Sequence, residues 1–290
     1  MPSLLVVGAT GLFGQAFMAE GKKQGLDVVG AARRDADIAM DLGDQESIET
    51  TIASSRPDIV VNTAAMIDIG GCEANPDRAH KINAEAPGRL AKIALDHGAR
   101  TVQISTDHFY TGDGTRPHRE DEPVVLLNEY ARTKLAGENS VLEHADTLVV
   151  RTNILGFRGW EKPTFAEWSL STVLEDRPVT LFADSFISAI DVRAGARAIL
   201  KLALGGAGGL VNVGCREVYS KKDLIKGLAE KLGRKLTNAR SGSVRQLEIR
   251  RGESLGLDVG LAEKLLGYKL PNMNDVLDAI VSEGKARHAI

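Results

Sequence analysis

The segment EYARTK places Tyr130 and Lys134 four residues apart, so a helix through it carries both on one face. An ammonium beside a phenol favours the phenolate and lowers the phenol from its ordinary pKa of about 10. A tyrosine tuned in this way serves as an acid near neutral pH. The segment QISTDHF adds the hydroxyls of Ser105 and Thr106 at the end of an apolar run. Loops in that position, over the carboxyl edge of a parallel sheet, bind ligands. Taken alone, a Tyr and a Lys at this spacing equally describe a surface helix pair. They gain weight by following a glycine turn, a VNTAA strand end and an STD strand end, in that order.

The glycine turn is VVGATGLFGQAF, with Gly8, Gly11 and Gly14 spaced as GxxGxxG between an apolar run and an apolar-periodic segment. Such a turn brings bare backbone close to a ligand and points a helix N-terminus at a pyrophosphate. The free amides and the positive helix end then stabilise the anion without a charged side chain. The alternative is a turn in which glycine merely serves a positive φ. Gly8, Thr10, Gly11, Leu12, Phe13 and Gly14 are the candidate dinucleotide contacts here. The next strand ends in AARRDAD. An acidic residue at that place suits the ribose hydroxyls of NAD, whereas arginine accommodates the 2′-phosphate of NADP. Arg33 and Arg34 follow the strand directly and Asp35 comes one step late, so NADP(H) is favoured, with NAD(H) as the alternative. The competing reading makes both arginines solvated loop residues. In MDLGD, Asp41 and Leu42 are candidates to hold the adenine by an edge hydrogen bond and an apolar contact.

These groups need a frame. LLVVGA (4–9), DVVGAA (27–32), DIVVNTAA (58–65), TVQIST (101–106) and TLVVRT (147–152) read as buried parallel strands. Helical patterns lie between them, at 15–24, 44–54 and 76–97. Alternation of this kind implies an α/β fold, a doubly wound parallel (Rossmann) sheet with right-handed crossovers. Beyond Thr152 the rhythm loosens, through a Gly- and aromatic-rich stretch and then helices at 165–175, 193–204 and 221–232. A dinucleotide-binding domain is expected over 1–152 with about 186–204. A smaller α/β substrate lobe is expected over about 153–185 and 205–290.

Composition agrees with a large globular core: 290 residues, 43% hydrophobic and 26% charged. Net charge is −3 and there is no basic block, which argues against nucleic acid as a partner. No apolar run approaches the roughly 20 residues that span a bilayer, and MPSLLVVGAT reads as a strand rather than a signal peptide. Cys72 and Cys215 are the only cysteines and form no CxxC pair. Two free thiols in a reducing cytoplasm, with no metal site, are therefore expected.

The ordered set GATGLFG, NTAA, KINAEAP, ISTD, YARTK and RTNILG resembles the extended short-chain dehydrogenase/reductase superfamily. Within it, STDHFYTGDGTRPHREDEPVVLLNEYARTKLAGE is similar to the dTDP-4-dehydrorhamnose reductase family, whose stretch runs STDYVFDG, PYxEdD and PxNxYGxSKxxGE. The likeness is dense from Leu4 to about Gly156, and RRGESLGLD resembles that family's RPxxSxLD. The resemblance implies reduction of a keto-sugar nucleotide. Tyr130 would give a proton to the substrate carbonyl oxygen, Thr106 would hydrogen-bond that oxygen, and Lys134 would hold the nicotinamide ribose and depress the tyrosine pKa. Ala64, Ala65 and Met66 would line the cofactor, and Thr152 to Ile154 would border the nicotinamide. Asn83 would hold backbone or a proton-relay water, with plain helix structure as the alternative. A small-molecule substrate is the expected partner, with a homodimer as one open assembly.

Departures from the family fall on the substrate side. His108 and Tyr110 stand where Tyr and Phe are usual, Ile154 stands where a tryptophan is expected, and Ala131 replaces a glycine. Ser105, Asp107, His108, Trp160 and Arg251 are the candidate substrate contacts. For His108 the alternative is a hydrogen-bonded structural histidine. For Trp160 and Trp168 it is packing; Arg250 and Arg251 suit a nucleotide diphosphate as guanidinium forks, against a solvated pair near Glu248 and Glu253. Cys72 has no neighbouring base and is expected to be inert. Two other functions fit the same scaffold: a non-catalytic binding or regulatory subunit, as in the methionine adenosyltransferase regulatory subunit, and an epimerase or dehydratase. A pure binding module has no need of a lysine four residues after a tyrosine. Dehydratases usually carry acidic partners directly after the threonine, where this chain has Asp107 and then His108.

Overall fold

Unbroken apolar runs make strands that must be covered on both faces. In the computed structural model, which describes residues 1–160 and 162–287, they form β1 (Ser3–Val7), β2 (Asp27–Ala32), β3 (Ile38–Ala39), β4 (Ile59–Asn62), β5 (Arg100–Ile104), β6 (Thr147–Arg151) and β7 (Gly209–Asn212). The sheet order is β7-β6-β5-β4-β1-β2-β3. Every pairing from β3 through to β6 is parallel, with Leu5 opposite both Val29 and Val60. The order reverses between β1 and β4, which opens a crevice at their carboxyl ends. The expected doubly wound sheet is therefore present.

Four strands stop one to three residues short of their expected ends, at Val7, Asn62, Ile104 and Arg151. Past three of those ends one further amide still reaches the neighbouring strand, from Gly8 to Ala31, Thr63 to Val7 and Ser105 to Val150, before the chain leaves the ladder. The expected helix at 76–97 is three pieces in sequence: Pro76–His80, a π turn over Lys81–Glu85, and Ala86–Asp96. A π turn holds one extra residue per turn and recurs at functional positions.

The chain packs as two compact units. The first comprises Met1–Thr106, Leu126–Arg151 and Ala196–Val211; the second comprises Asp107–Val125, Thr152–Gly195 and Asn212 onward. In the first unit Leu5, Val7, Ile48, Ile52, Val60 and Leu90 form one core between the sheet and its helices. In the second, Leu170, Ile187, Tyr219, Leu224, Leu228 and Leu277 form another. There the short strand Phe186–Ile187 lies between Tyr219–Ser220 and Ser254–Leu255. The helices Phe165–Leu174, Lys221–Lys231 and Met273–Ala286 each begin with a capping box, from Thr164, Ser220 and Asn272.

The helix Glu129–Leu142 is seated in the first unit by a second set of constraints. Asn128 caps it, accepting from the Ala131 amide at 2.9 Å. Gly137 faces the Asn83 carbonyl so closely that an added Cβ would overlap it. One residue on, Glu138 meets Arg151 of β6 in a two-pronged pair, at 3.0 and 2.8 Å, with both side chains almost wholly out of water. Removing one member of a buried pair strands the other charge, at a cost of about 3–5 kcal/mol. Glu138→Ala is expected to lose that much in urea unfolding, and Glu138→Leu with Arg151→Met to recover most of it. A single-variant loss below about 1 kcal/mol would show that this pair does not anchor the helix.

Candidate active site

In the first unit the glycine turn fits a dinucleotide. Gly8 has φ +82°, and a Cβ there would sit 2.7 Å from Thr63 Oγ1 and 2.9 Å from the Ala64 amide. A Cβ on Gly14 would overlap the Gly8 carbonyl. Gly11 is the N-cap of the helix Leu12–Lys23, extended at φ −72° and ψ 169°, with no side chain capping it. The amides of that first turn are thus left for an incoming anion. Phe13 is buried against Phe17 at 4.6 Å, so only its backbone is available to a ligand, while Thr10 and Leu12 are partly exposed.

Beyond β2, Arg33 and Arg34 are exposed, and among the described residues neither is paired with a carboxylate. In the same loop, Asp37 is engaged elsewhere, accepting from the Gly30 amide at 2.8 Å. Asp41 is exposed and accepts from the Gly43 amide at 2.9 Å, whereas Leu42 belongs to the apolar core.

Past β4, the loop Ala64–Met66 is held by Asn83. The Met66 amide donates to Asn83 Oδ1 at 2.8 Å, and Asn83 Nδ2 donates to the Met66 carbonyl at 2.9 Å. A further contact from Nδ2 to Thr133 Oγ1, at 3.2 Å, ties the same amide to the tyrosine helix. Past β5, Ser105 and Thr106 are buried, and the Ser105 amide donates to the Val150 carbonyl at 2.7 Å. The Ser105 hydroxyl is buried without a hydrogen-bond partner among the described residues. Lys134 is 4% exposed and donates from Nζ to the Ile104 carbonyl at 2.7 Å. Burial lowers its pKa to about 8, against the opposing pull of Glu138. Tyr130, one turn earlier, is partly exposed. The parallel strands thus gather the glycine turn, Ala64–Met66, Asn83, Thr106, Tyr130 and Lys134 at one sheet edge.

The second unit holds the remaining candidates. Asp107 is buried and accepts from Asn153 Nδ2 at 2.6 Å, with His108 Nε2 3.8 Å from its other oxygen. Burial, then the charges of Lys221 and Arg251, push His108 down to about 3, so its ring is neutral at working pH. Ile154 lies in a parallel pair with Ile190. Trp160 stands apart: it is half exposed, under the Arg158 guanidinium at 3.9 Å, while Trp168 stacks on Phe165. Arg251 is exposed. Cys72 is raised to about 11, chiefly by burial, and its thiol donates to the Met66 carbonyl at 3.4 Å, so it is inert. Lys221 was not among the candidates. Its signal was a lysine in the first turn of a helix, where a cation opposes the helix dipole.

Lysine in the unfolded chain keeps its proton to about pH 10.5, whereas buried Lys134 releases it near 8. Between those values the unfolded state binds more protons, so stability rises with pH; below pH 8 the burial penalty is felt in full. Wild type minus Lys134→Met, compared by urea unfolding at pH 7.5 and 10, is expected to shift in favour of wild type by on the order of 2–3 kcal/mol. A pH-independent difference would mean that the ammonium is not buried at a cost.

The model of the RmlD substrate binding domain matches residues 2–285. A probable low-salt glycan biosynthesis reductase, Agl14, from Haloferax volcanii is 29% identical over 95% of this chain and 96% of its own. A dTDP-4-dehydrorhamnose reductase from Mycolicibacterium smegmatis is 29% identical over 79% of this chain and 69% of its own. Among solved structures, the dTDP-4-dehydrorhamnose reductase of Bacillus anthracis in complex with NADP superposes with a TM-score of 0.88 at 22% identity, covering 97% of this chain and 99% of that one. With a family match across nearly its whole length, this chain belongs to the RmlD substrate-binding domain family, on an extended short-chain dehydrogenase/reductase-like fold.

Proposed function

We propose that this chain is an NADPH-dependent reductase that converts the keto group of a nucleotide-linked sugar to a hydroxyl. The observation that carries the reading is Lys134: a buried ammonium one turn from Tyr130, fixed to the last carbonyl of the strand that delivers Thr106. Relatives named as dTDP-4-dehydrorhamnose reductases, one solved with NADP, support the same reaction class.

Bound NADPH supplies the hydride that reaches the carbonyl carbon. The chain's residues do the rest. The Tyr130 hydroxyl hands its proton to the carbonyl oxygen, which the Thr106 hydroxyl holds in place. Lys134 donates to a ribose hydroxyl and keeps positive charge beside the phenol, favouring the phenolate that remains. Amides of the glycine turn take the pyrophosphate, and Arg33 with Arg34 take the 2′-phosphate. Asn83 keeps the Ala64–Met66 loop at the depth the cofactor requires. The first unit is assigned the dinucleotide and the second the sugar nucleotide.

Among the described residues no helix is long and apolar enough to cross a membrane, and both cysteines are free and buried. A reducing cytoplasm suits those thiols, and the working assembly in this reading is a homodimer, to be read by light scattering.

Tyr130→Phe is expected to lower kcat by about 10²–10⁴-fold while NADPH affinity stays within about twofold, because the hydroxyl acts only on the reacting oxygen. Stopped-flow NADPH oxidation with dTDP-4-keto-6-deoxyhexose measures the first and fluorescence titration the second. Near-wild-type turnover would remove Tyr130 as the acid. Replacing Arg33 and Arg34 together by alanine is expected to weaken NADPH far more than NADH in paired titrations. Equal losses for the two cofactors would rule out the 2′-phosphate assignment.

A further inference from the structure

Three segments of the second unit converge at one end of the strand Phe186–Ile187. Ser220 pairs with Phe186 on one side, antiparallel, and Ser254 pairs with Phe186 on the other, parallel. Lys221 follows the first flanking strand, and its amide donates to the Ser185 carbonyl at 2.9 Å. Arg251 precedes the second by three residues, and the Glu253 carbonyl accepts from the Phe186 amide at 2.8 Å. Both cations therefore leave the sheet at its Ser185 end, with two strand spacings of about 4.8 Å between their chains. The loop carrying His108 is pressed against the same place. A Cβ on Gly252 would lie 2.5 Å from the Tyr110 carbonyl, and the Thr111 side chain bonds Glu253.

Several other cations of this unit are neutralised, among them Arg245 by Glu253 at 2.8 Å, Lys231 by Asp278 at 2.5 Å, and Arg193 by Glu283. Among the described residues no carboxylate lies within ion-pair distance of Lys221 or Arg251. Lys221 is partly buried, and its Nζ stands 5.7 Å over the Phe165 ring. Burial lowers its pKa, with Asp107 opposing and Arg251 adding to the fall. Of the carboxylates nearby, Asp107 is already engaged by Asn153 at 2.6 Å and Glu253 by Arg245 at 2.8 Å. Two cations against one carboxylate leave a net positive charge in a partly dry setting, where an anion gains most. His108 follows Thr106 by two residues, which limits their Cα separation to about 7.6 Å by chain geometry alone.

Resting on the reductase reading, we propose that Lys221, with Arg251 and His108, binds an oxyanion of the substrate, either the diphosphate of the sugar nucleotide or a carboxylate on its sugar, and so sets substrate choice.

The test uses protein saturated with NADP⁺ and calorimetric titration of UDP, dTDP, UDP-glucose and UDP-glucuronate into wild type, Lys221→Met and Lys221→Arg. Weakening of UDP and dTDP by at least tenfold in Lys221→Met, with recovery to within threefold in Lys221→Arg, supports the site and identifies the diphosphate. Unchanged UDP and dTDP with loss of a tenfold wild-type preference for UDP-glucuronate over UDP-glucose supports the site and identifies a sugar carboxylate. All four ligands binding Lys221→Met as they bind wild type overturns the proposal and leaves the reductase reading standing. Wild type that binds NADP⁺ but none of the four overturns both this site and the substrate class. Wild type that fails to bind NADP⁺ overturns the reductase reading itself. Lys221→Gln repeats the comparison if the methionine variant melts below the assay temperature.

Discussion

An ammonium taken out of water holds its proton only if it finds an acceptor, and Lys134 finds one in the Ile104 carbonyl at 2.7 Å. That bond joins the tyrosine helix to the last residue of a central strand. A shift of the helix by even one residue would strand the charge, so Tyr130 and the Ser105–Thr106 turn are fixed relative to each other by the cost of that alternative. Glu138 and Arg151 repeat the constraint one turn further along, with a pair that neither partner can leave cheaply. The chemistry thus rests on electrostatic penalties more than on attractive contacts. The absence of a side chain at Gly137 lets the tyrosine helix lie against the Asn83 carbonyl.

Much of the first unit was legible because its signals are local. Apolar runs set the strands, and the spacing of Tyr130 from Lys134 set a shared helix face. The glycines at 8, 11 and 14 marked the turn. The strand ends lie short of the sequence expectation for a physical reason: the runs stay apolar or β-branched through Ala9, Ala65, Thr106 and Thr152, but the sheet ends where the ligand edge begins. The π turn at Lys81–Glu85 was not legible, since its cause is tertiary. Asn83 reaches Met66 and Thr133, residues distant in sequence, and no periodicity records that demand.

The second unit was harder to read. Its strands are mostly two residues long and their pairings span long stretches of chain, so neither period nor turn chemistry announces them. The pairing of Asp107 with Asn153 joins residues 46 apart. By sequence, His108 fits either a substrate contact or a structural ring. Burial and two neighbouring cations make it neutral, a state that a sequence does not display. Trp160 looked useful as an aromatic in a glycine-rich loop, yet it lies on the surface beneath a guanidinium. Composition reports residue types, whereas the relevant quantity is which side chains are denied water together.

The widened turn around Asn83 has one more implication, for how this chain tolerates length changes. Deleting Ile82 would let an ordinary α-helix run straight through, a gain in local regularity. It would also swing the Asn83 amide by about 100° around the helix axis, away from Met66. Here a shorter, more regular helix is a worse protein, and a register fault in the spiral is what keeps a distant loop at its working height.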